Sequence, residues 1–202
     1  MKTLVTRTLV MIDLETGGLN PQENGVTEIA AVAFCLEAGK AREIETYSTL
    51  VKPFRTRSYT PYALSLQGQT LETLERDGAN PLTAYQGLAA FLERHVGKPG
   101  GERAGLIWAH NAPFDHSFLC AFSRDVSYRD DFSERCDWSC TKSLFYALRA
   151  LGFHDGKWSN LRELCRLFCV TPNGAEHTAL SDARAAVGCL AAMTETFTKG
   201  LL

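Results

Sequence analysis

Two carboxylates two residues apart, Asp13 and Glu15, close the apolar run Val10-Met11-Ile12 and precede Thr16-Gly17-Gly18. The run reads as a β-strand, and side chains two apart on a strand leave from the same face. The two acids therefore stand side by side where strand gives way to turn. Like charges about 4 Å apart repel by roughly 4 kcal/mol at an effective dielectric of about 20. A well-solvated strand end tolerates that repulsion, whereas a divalent cation converts it into coordination. Three residues of D-x-E fit either reading.

Two more acids and one imidazole offer the same chemistry. Asp115 follows His110-Asn111-Ala112-Pro113-Phe114. Asn as N-cap and Pro in a first turn predict a helix from about 112 to 122, with Asp115 in its first turn. Asp182 falls near the start of the last helix, and His177 just before it. Were both helical, a five-residue separation would place them about 140° apart, so His177 belongs to the preceding loop. Each acid alone also suits the positive end of a helix dipole, and a lone loop histidine suits solvent.

The elements that must carry these residues can be read in order. Residues 8–15 form a first strand, Glu28 to Glu37 a second and Glu43 to Phe54 a third. The short Ala38-Gly39-Lys40 link implies antiparallel pairing. A loop follows, marked by Pro53, Arg55-Thr56-Arg57 and Pro61. After Gly78 to Pro81, the apolar spacing of Tyr85, Leu88, Ala89 and Leu92 predicts a helix. Gly105 to His110 is a fourth strand and Asp137 to Cys140 a short fifth, with a charged loop over 124–135. Helices are expected over Thr141 to Leu151, stopped by Gly152, over 160–169, and from Ala179 onward. That order implies an α/β protein with a mixed five-stranded sheet flanked by helices.

The 202 residues suffice for one domain with a real core. A net charge of −2 excludes a polybasic field for gripping long nucleic acid, so any such contact should be local. No run reaches the length of a membrane span. Seven scattered cysteines read as reduced thiols of a cytoplasmic protein. The C-x3-C spacings Cys136/Cys140 and Cys165/Cys169 invite zinc, but Cys165 shares a helical stripe with Leu161, Leu164 and Phe168 and reads as core.

Together, Asp13-x-Glu15, His110-Asn111 with Asp115, and His177 with Asp182 resemble the three ordered motifs of the DEDDh family of 3′→5′ exonucleases. The likeness extends to Glu28-Ile29-Ala30-Ala31 and Trp138-Ser139-Cys140-Thr141. Around Ala109 to Phe118 it is similar to the ribonuclease T branch. The resemblance implies a ribonuclease H-like fold over 1–202 as a single exonuclease domain. It also implies two Mg²⁺ or Mn²⁺ held by Asp13, Glu15, Asp115 and Asp182, with His177 as general base, and nucleic acid with a free 3′ end as the partner. The product would be nucleoside 5′-monophosphates, from single-stranded or short 3′ ends of DNA or RNA. Thr16, Gly17 and Leu19 would cradle the terminal nucleotide, and Phe114 would stack on a base or pack in the core. Where ribonuclease T carries base-wedging phenylalanines, this chain has Leu19 and Leu66. Arg7, Lys52, Arg55 and Arg57 are candidates for phosphate contacts or solvated surface charge.

Two other functions share these motifs: a polymerase's proofreading subunit, and an inactive nucleic-acid-binding module on the same fold. Only about 20 residues follow Asp182, where proofreading subunits carry a tether, which favours a stand-alone enzyme. The complete acid set argues against the inactive module. A homodimer is expected by analogy with ribonuclease T.

Overall fold

The computed structural model describes residues 8–37, 39–97, 106–128, 132, 136–155, 157, 159–172 and 178–200. Its centre is a strand, β1 (Leu9–Thr16), paired on one side with β2 (Val26–Glu37) and through it with β3 (Lys40–Leu50). β4 (Ile107–Ala109) and β5 (Trp138–Cys140) complete a five-stranded sheet of order β3-β2-β1-β4-β5. The first three strands are antiparallel hairpin neighbours, while β4 and β5 run parallel to β1. This is the expected mixed sheet, and the architecture is that of the ribonuclease H-like fold. β3 is an edge strand, and Arg42, Glu43 and Glu45 on it discourage edge-to-edge pairing.

Between β3 and β4 lie α1 (Pro61–Leu66), α2 (Leu71–Asp77) and α3 (Pro81–Val96). α4 (Ala112–Asp125) follows β4, and α5 (Thr141–Ala150) follows β5. α6 (Leu161–Leu167) and the long α7 (Ala179–Gly200) complete the chain. α1 and α2 replace part of the expected loop. Each is short, yet Thr60 caps Ala63 N–H ahead of Pro61, and Thr70 forms a capping box with Thr73. Good caps thus stand in for the long apolar stripe that sequence periodicity looks for. β3 ends at Leu50 rather than Phe54, and Val51 then bridges to Ala79. Gly152 stops α5 at φ 79°, a conformation that favours glycine.

Alternation along β1 divides the core. Val10, Ile12 and Leu14 pack with α3 and α4 on one face of the sheet. Met11 faces the other way, against Ala179, Ala183, Ala186, Val187 and Leu190 of α7. Three alanines on that face, Ala179, Ala183 and Ala186, let α7 lie near the strands. Cys165 is core, with its Sγ 3.7 Å from that of Cys189, and not half of a zinc pair with exposed Cys169. Among the described residues, no helix is long and apolar enough to cross a membrane.

Candidate active site

Odd-numbered residues of β1 face α7, so Asp13 and Glu15 continue the face that begins with Met11. Asp182 lies on α7 between Ala179 and Ala186, on the stripe that meets the sheet. One carboxylate oxygen from each of Asp13, Glu15 and Asp182 lies within 4.8 Å of the others. The long-range half of the expected constellation is therefore assembled by two regular periodicities meeting at one place.

Asp115 arrives from the opposite layer. It is only 2 % exposed, in the first turn of α4, and its Oδ1 accepts the Leu14 N–H at 3.1 Å. β4 stops at Ala109 opposite Ile12, so the side chain of Asp115 takes over the next donor of β1. Asn111 supplies the turn before α4 differently from expectation. It stands in the left-handed region at φ 68° and makes no side-chain cap. Its carbonyl instead accepts the Phe114 N–H at 2.9 Å. Asn tolerates that conformation, and a sharp turn there presents Asp115 to β1. His110 before it is half-buried, paired through Nδ1 with Thr141 Oγ1 at 2.8 Å, and held neutral by partial burial, which lowers its pKa to about 4.

The acids strain one another electrostatically. Burial, then the charges of Asp115, Asp182, Glu15 and Glu28, hold Asp13 well above the usual carboxylate range. Burial and the charges of Asp182, Glu28 and Asp115 push Glu15 up to about 8. Burial also raises Asp115, against the lowering effect of its own backbone N–H and that of Leu14. Oxygen donors this crowded, and this reluctant to carry charge together, fit a hard divalent cation. His177 lies outside the described residues. Its neighbour Thr178 accepts the Asp182 N–H at 3.0 Å, at the start of α7.

The expected substrate-gripping residues divide. Thr16 is buried and donates its hydroxyl to Gly18 O at 2.6 Å. Gly17 donates its N–H to Gly25 O at 2.8 Å and accepts the Thr60 N–H at 2.7 Å. A Cβ on Gly17 would come within 2.6 Å of Tyr59 Cδ1 and 2.8 Å of Ser58 O. Close packing against the Ser58-Tyr59 segment is thus what requires glycine, and Thr16 and Gly17 spend these groups on shaping the loop. Leu19 is 86 % exposed and Leu66 47 %, both free to meet a ligand. Phe114 is partly buried, its ring 4.8 Å from that of Phe118, so it belongs to the core edge as well.

Arg57 is a correction. Its guanidinium is only 12 % exposed and grips both oxygens of Asp125, at 2.7 and 2.5 Å. It also donates to the carbonyls of Pro21 and Gln22. It fastens the loop after Glu15 to the end of α4 and is not a spare phosphate contact. Arg55 remains exposed, and Arg7 lies outside the described residues. Sequence reasoning also gave no role to Glu28. It pairs directly across from Glu15 on β2 and contributes to the field at both Asp13 and Glu15. Its place at the head of an apolar strand was the available signal.

Fold and site define an α/β nuclease-type domain with an acidic centre at the end of its middle strand. The ribonuclease T family model, described as exonuclease, matches residues 10–190, and the chain belongs to this DEDDh family of 3′→5′ exonucleases. Ribonuclease T of Yersinia pseudotuberculosis serotype O:1b (strain IP 31758) is 33 % identical over 121 residues, 59 % of this chain and 56 % of that protein. Ribonuclease T of Cronobacter sakazakii (strain ATCC BAA-894) is 31 % identical over 121 residues, 59 % and 54 % of the two chains. The alignment thus spans about half the length of these curated relatives. Among solved structures, E. coli exonuclease I in complex with a dA16 oligonucleotide superposes with a TM-score of 0.78 at 17 % identity, covering 96 % of this chain and 42 % of that one. Exonuclease I from Methylocaldum szegediense gives 0.76 at 18 %, covering 94 % and 40 %. At such identity these structures speak for the fold.

Proposed function

We propose that residues 1–202 act as one exonuclease domain. It would remove nucleotides from single-stranded or short 3′ ends of DNA or RNA and release nucleoside 5′-monophosphates. The observation that carries this reading is the convergence of Asp13, Glu15 and Asp182 within 4.8 Å, backed by Asp115. E. coli exonuclease I was solved in complex with a dA16 oligonucleotide, and the same class of ligand would meet exposed Leu19, in the loop that follows Glu15.

Asp13, Glu15, Asp115 and Asp182 would hold two Mg²⁺ or Mn²⁺. When bound, such ions stabilise charge on the attacking and leaving oxygens at phosphorus. The chain's own residues set up the rest. Leu14 N–H orients Asp115 by donating to its Oδ1. His177, two residues before α7 in the sequence, would take the proton of the attacking water, with a reference pKa of about 6.5 suited to neutral pH. Leu19 and Phe114 would bear on the terminal base, while Thr16 and Gly17 keep the loop in shape around it, and Leu66 stands where ribonuclease T has a base-wedging phenylalanine. The reading places the enzyme in the cytoplasm, with reduced thiols, and as a homodimer like the ribonuclease T branch.

The test is a nuclease assay on labelled DNA and RNA oligonucleotides with free or 3′-blocked ends, with Mg²⁺, Mn²⁺ or EDTA. Stepwise mononucleotide release from free 3′ ends, lost on blocking or chelation, is expected. Full activity in EDTA would remove the metal reading, and efficient cutting of circular single-stranded DNA would remove the exonuclease reading. Binding without cleavage under every condition would leave a nucleic-acid-binding module.

A further inference from the structure

A fifth acid stands beside Asp13, Glu15 and Asp182 and outside their convergence. Glu28 faces Glu15 across the β1–β2 pair, yet the oxygens that converge within 4.8 Å are those of Asp13, Glu15 and Asp182. Its two oxygens are engaged elsewhere. Oε2 accepts the backbone N–H of Ala179 at 3.2 Å, and Oε1 accepts the Ser48 hydroxyl at 3.4 Å. Ala179 is the first residue of α7, and its N–H is one of the donors a helix leaves without an internal partner. Thr178 serves a different one, its Oγ1 accepting from Ser181 N at 3.4 Å. A strand residue 151 positions away thus contributes to the cap.

The location carries the consequence. Ala179 lies one turn before Asp182, and the two share the face of α7 that packs on the sheet. Glu28 and Glu15 are cross-strand neighbours, so one bond couples the spacing of β1 to the start of α7. Placing another acid here is costly, since burial and the charge of Asp182 both oppose its ionisation. A residue whose only task was to fill space would be apolar, as Ala30 and Val32 are further along the same face.

We propose that Glu28 is a positioning residue of the site. Its carboxylate holds the first turn of α7 and so fixes where Asp182 stands against Asp13 and Glu15. This rests on the metal-site reading above. The role requires an acceptor at the right reach, not a charge. Glutamine preserves it, because its carbonyl oxygen can accept from Ala179 while its amide donates to a reversed Ser48 hydroxyl. Aspartate keeps the charge but is one methylene short.

The experiment measures Mn²⁺ binding to the whole chain by electron paramagnetic resonance, with kcat and KM on a single-stranded oligonucleotide alongside. Glu28→Gln should bind Mn²⁺ within about threefold of wild type. Glu28→Asp should bind it about 10–100-fold more weakly, the usual loss when a group supporting a ligand is removed. Glu28→Met, of similar length and without an acceptor, should follow Glu28→Asp and serves in its place should that variant not fold. The loss should appear in kcat more than in oligonucleotide KM. The reverse order, with Gln impaired and Asp intact, would make Glu28 an electrostatic element and overturn the inference. So would unchanged Mn²⁺ affinity in all three, whatever their melting temperatures. Wild-type protein that binds no Mn²⁺ would remove the metal site and this inference together, whereas wild-type binding with any other variant order removes the inference alone.

Discussion

At the scale of single residues, the site is a set of acids assembled against their own repulsion. Asp13 sits where burial and the charges of Asp115, Asp182, Glu15 and Glu28 all oppose its ionisation. Asp13→Asn should therefore abolish cleavage while raising the melting temperature of the metal-free protein at pH 8. A gain on the order of 2–4 °C per kcal/mol of relieved repulsion is expected for a chain of this size. A mutant melting well below wild type would show that Asp13 supports the fold. The pH trend has a definite sign. Glu15 has a folded pKa of about 8 against an ordinary 4.5. Between those values the folded state keeps a proton the unfolded chain has lost, so stability falls as pH rises from about 4.5 towards 8. Thermal melts in EDTA should show that decline, and saturating Mn²⁺ should remove most of it, because bound metal favours the deprotonated acids. A flat profile in EDTA would contradict the crowding of acids.

At the scale of elements, the loop after Glu15 is held by contacts from the segment between β3 and α1. Gly17 closes onto Ser58-Tyr59 and Thr60, Asn24 donates to Ser58 Oγ at 2.9 Å, and Arg57 reaches the Pro21 and Gln22 carbonyls. Arg57 also clasps Asp125 at the end of α4, the helix whose first turn carries Asp115. The loop bearing Leu19 and the helix bearing Asp115 therefore share one brace. Arg57→Ala leaves Asp125 without its guanidinium and should cost about 1–3 kcal/mol in denaturant unfolding. If the brace sets the substrate loop, oligonucleotide KM should rise in the same variant while Mn²⁺ affinity stays close to wild type. Parallel loss of both would place the brace nearer the metal-binding acids than its contacts suggest.

For the whole molecule, charge decides how substrate is held. With Lys and Arg totalling 21 against 23 Asp and Glu, the chain has no excess of positive charge with which to follow a long phosphate chain. Arg57 is withdrawn from the surface, and of the expected phosphate contacts Arg55 is the exposed one among the described residues. Binding should therefore release few counterions. With a slope of about −0.7 per phosphate contact on single strands, a plot of log affinity against log salt should fall with a slope of about −1 to −3. Oligonucleotides a few nucleotides long should bind nearly as well as long ones. A slope beyond about −5 would require a basic surface that this composition does not supply.

The acids of the site were legible in the sequence because each obeys a local rule. Alternation puts Asp13 and Glu15 on one face of β1, and the strand-to-helix junction puts Asp115 in a first turn. The expected helix start at Ala179 puts Asp182 in its first turn, and the order of elements implied the mixed sheet itself. Tertiary structure decided the rest, since the deciding partner lay far along the chain or outside any periodic pattern. α1 and α2 are too short for a stripe and stand on their caps. Asn111 turns the chain by a left-handed backbone rather than by capping with its side chain. Arg57 reads as a surface cation until Asp125, 68 residues on, is folded beneath it. Glu28 reads as the polar head of an apolar strand until Ala179 arrives 151 residues later with an unmet N–H. Periodicity along the chain tells which face a side chain takes, but what waits on that face is settled only when the layers pack.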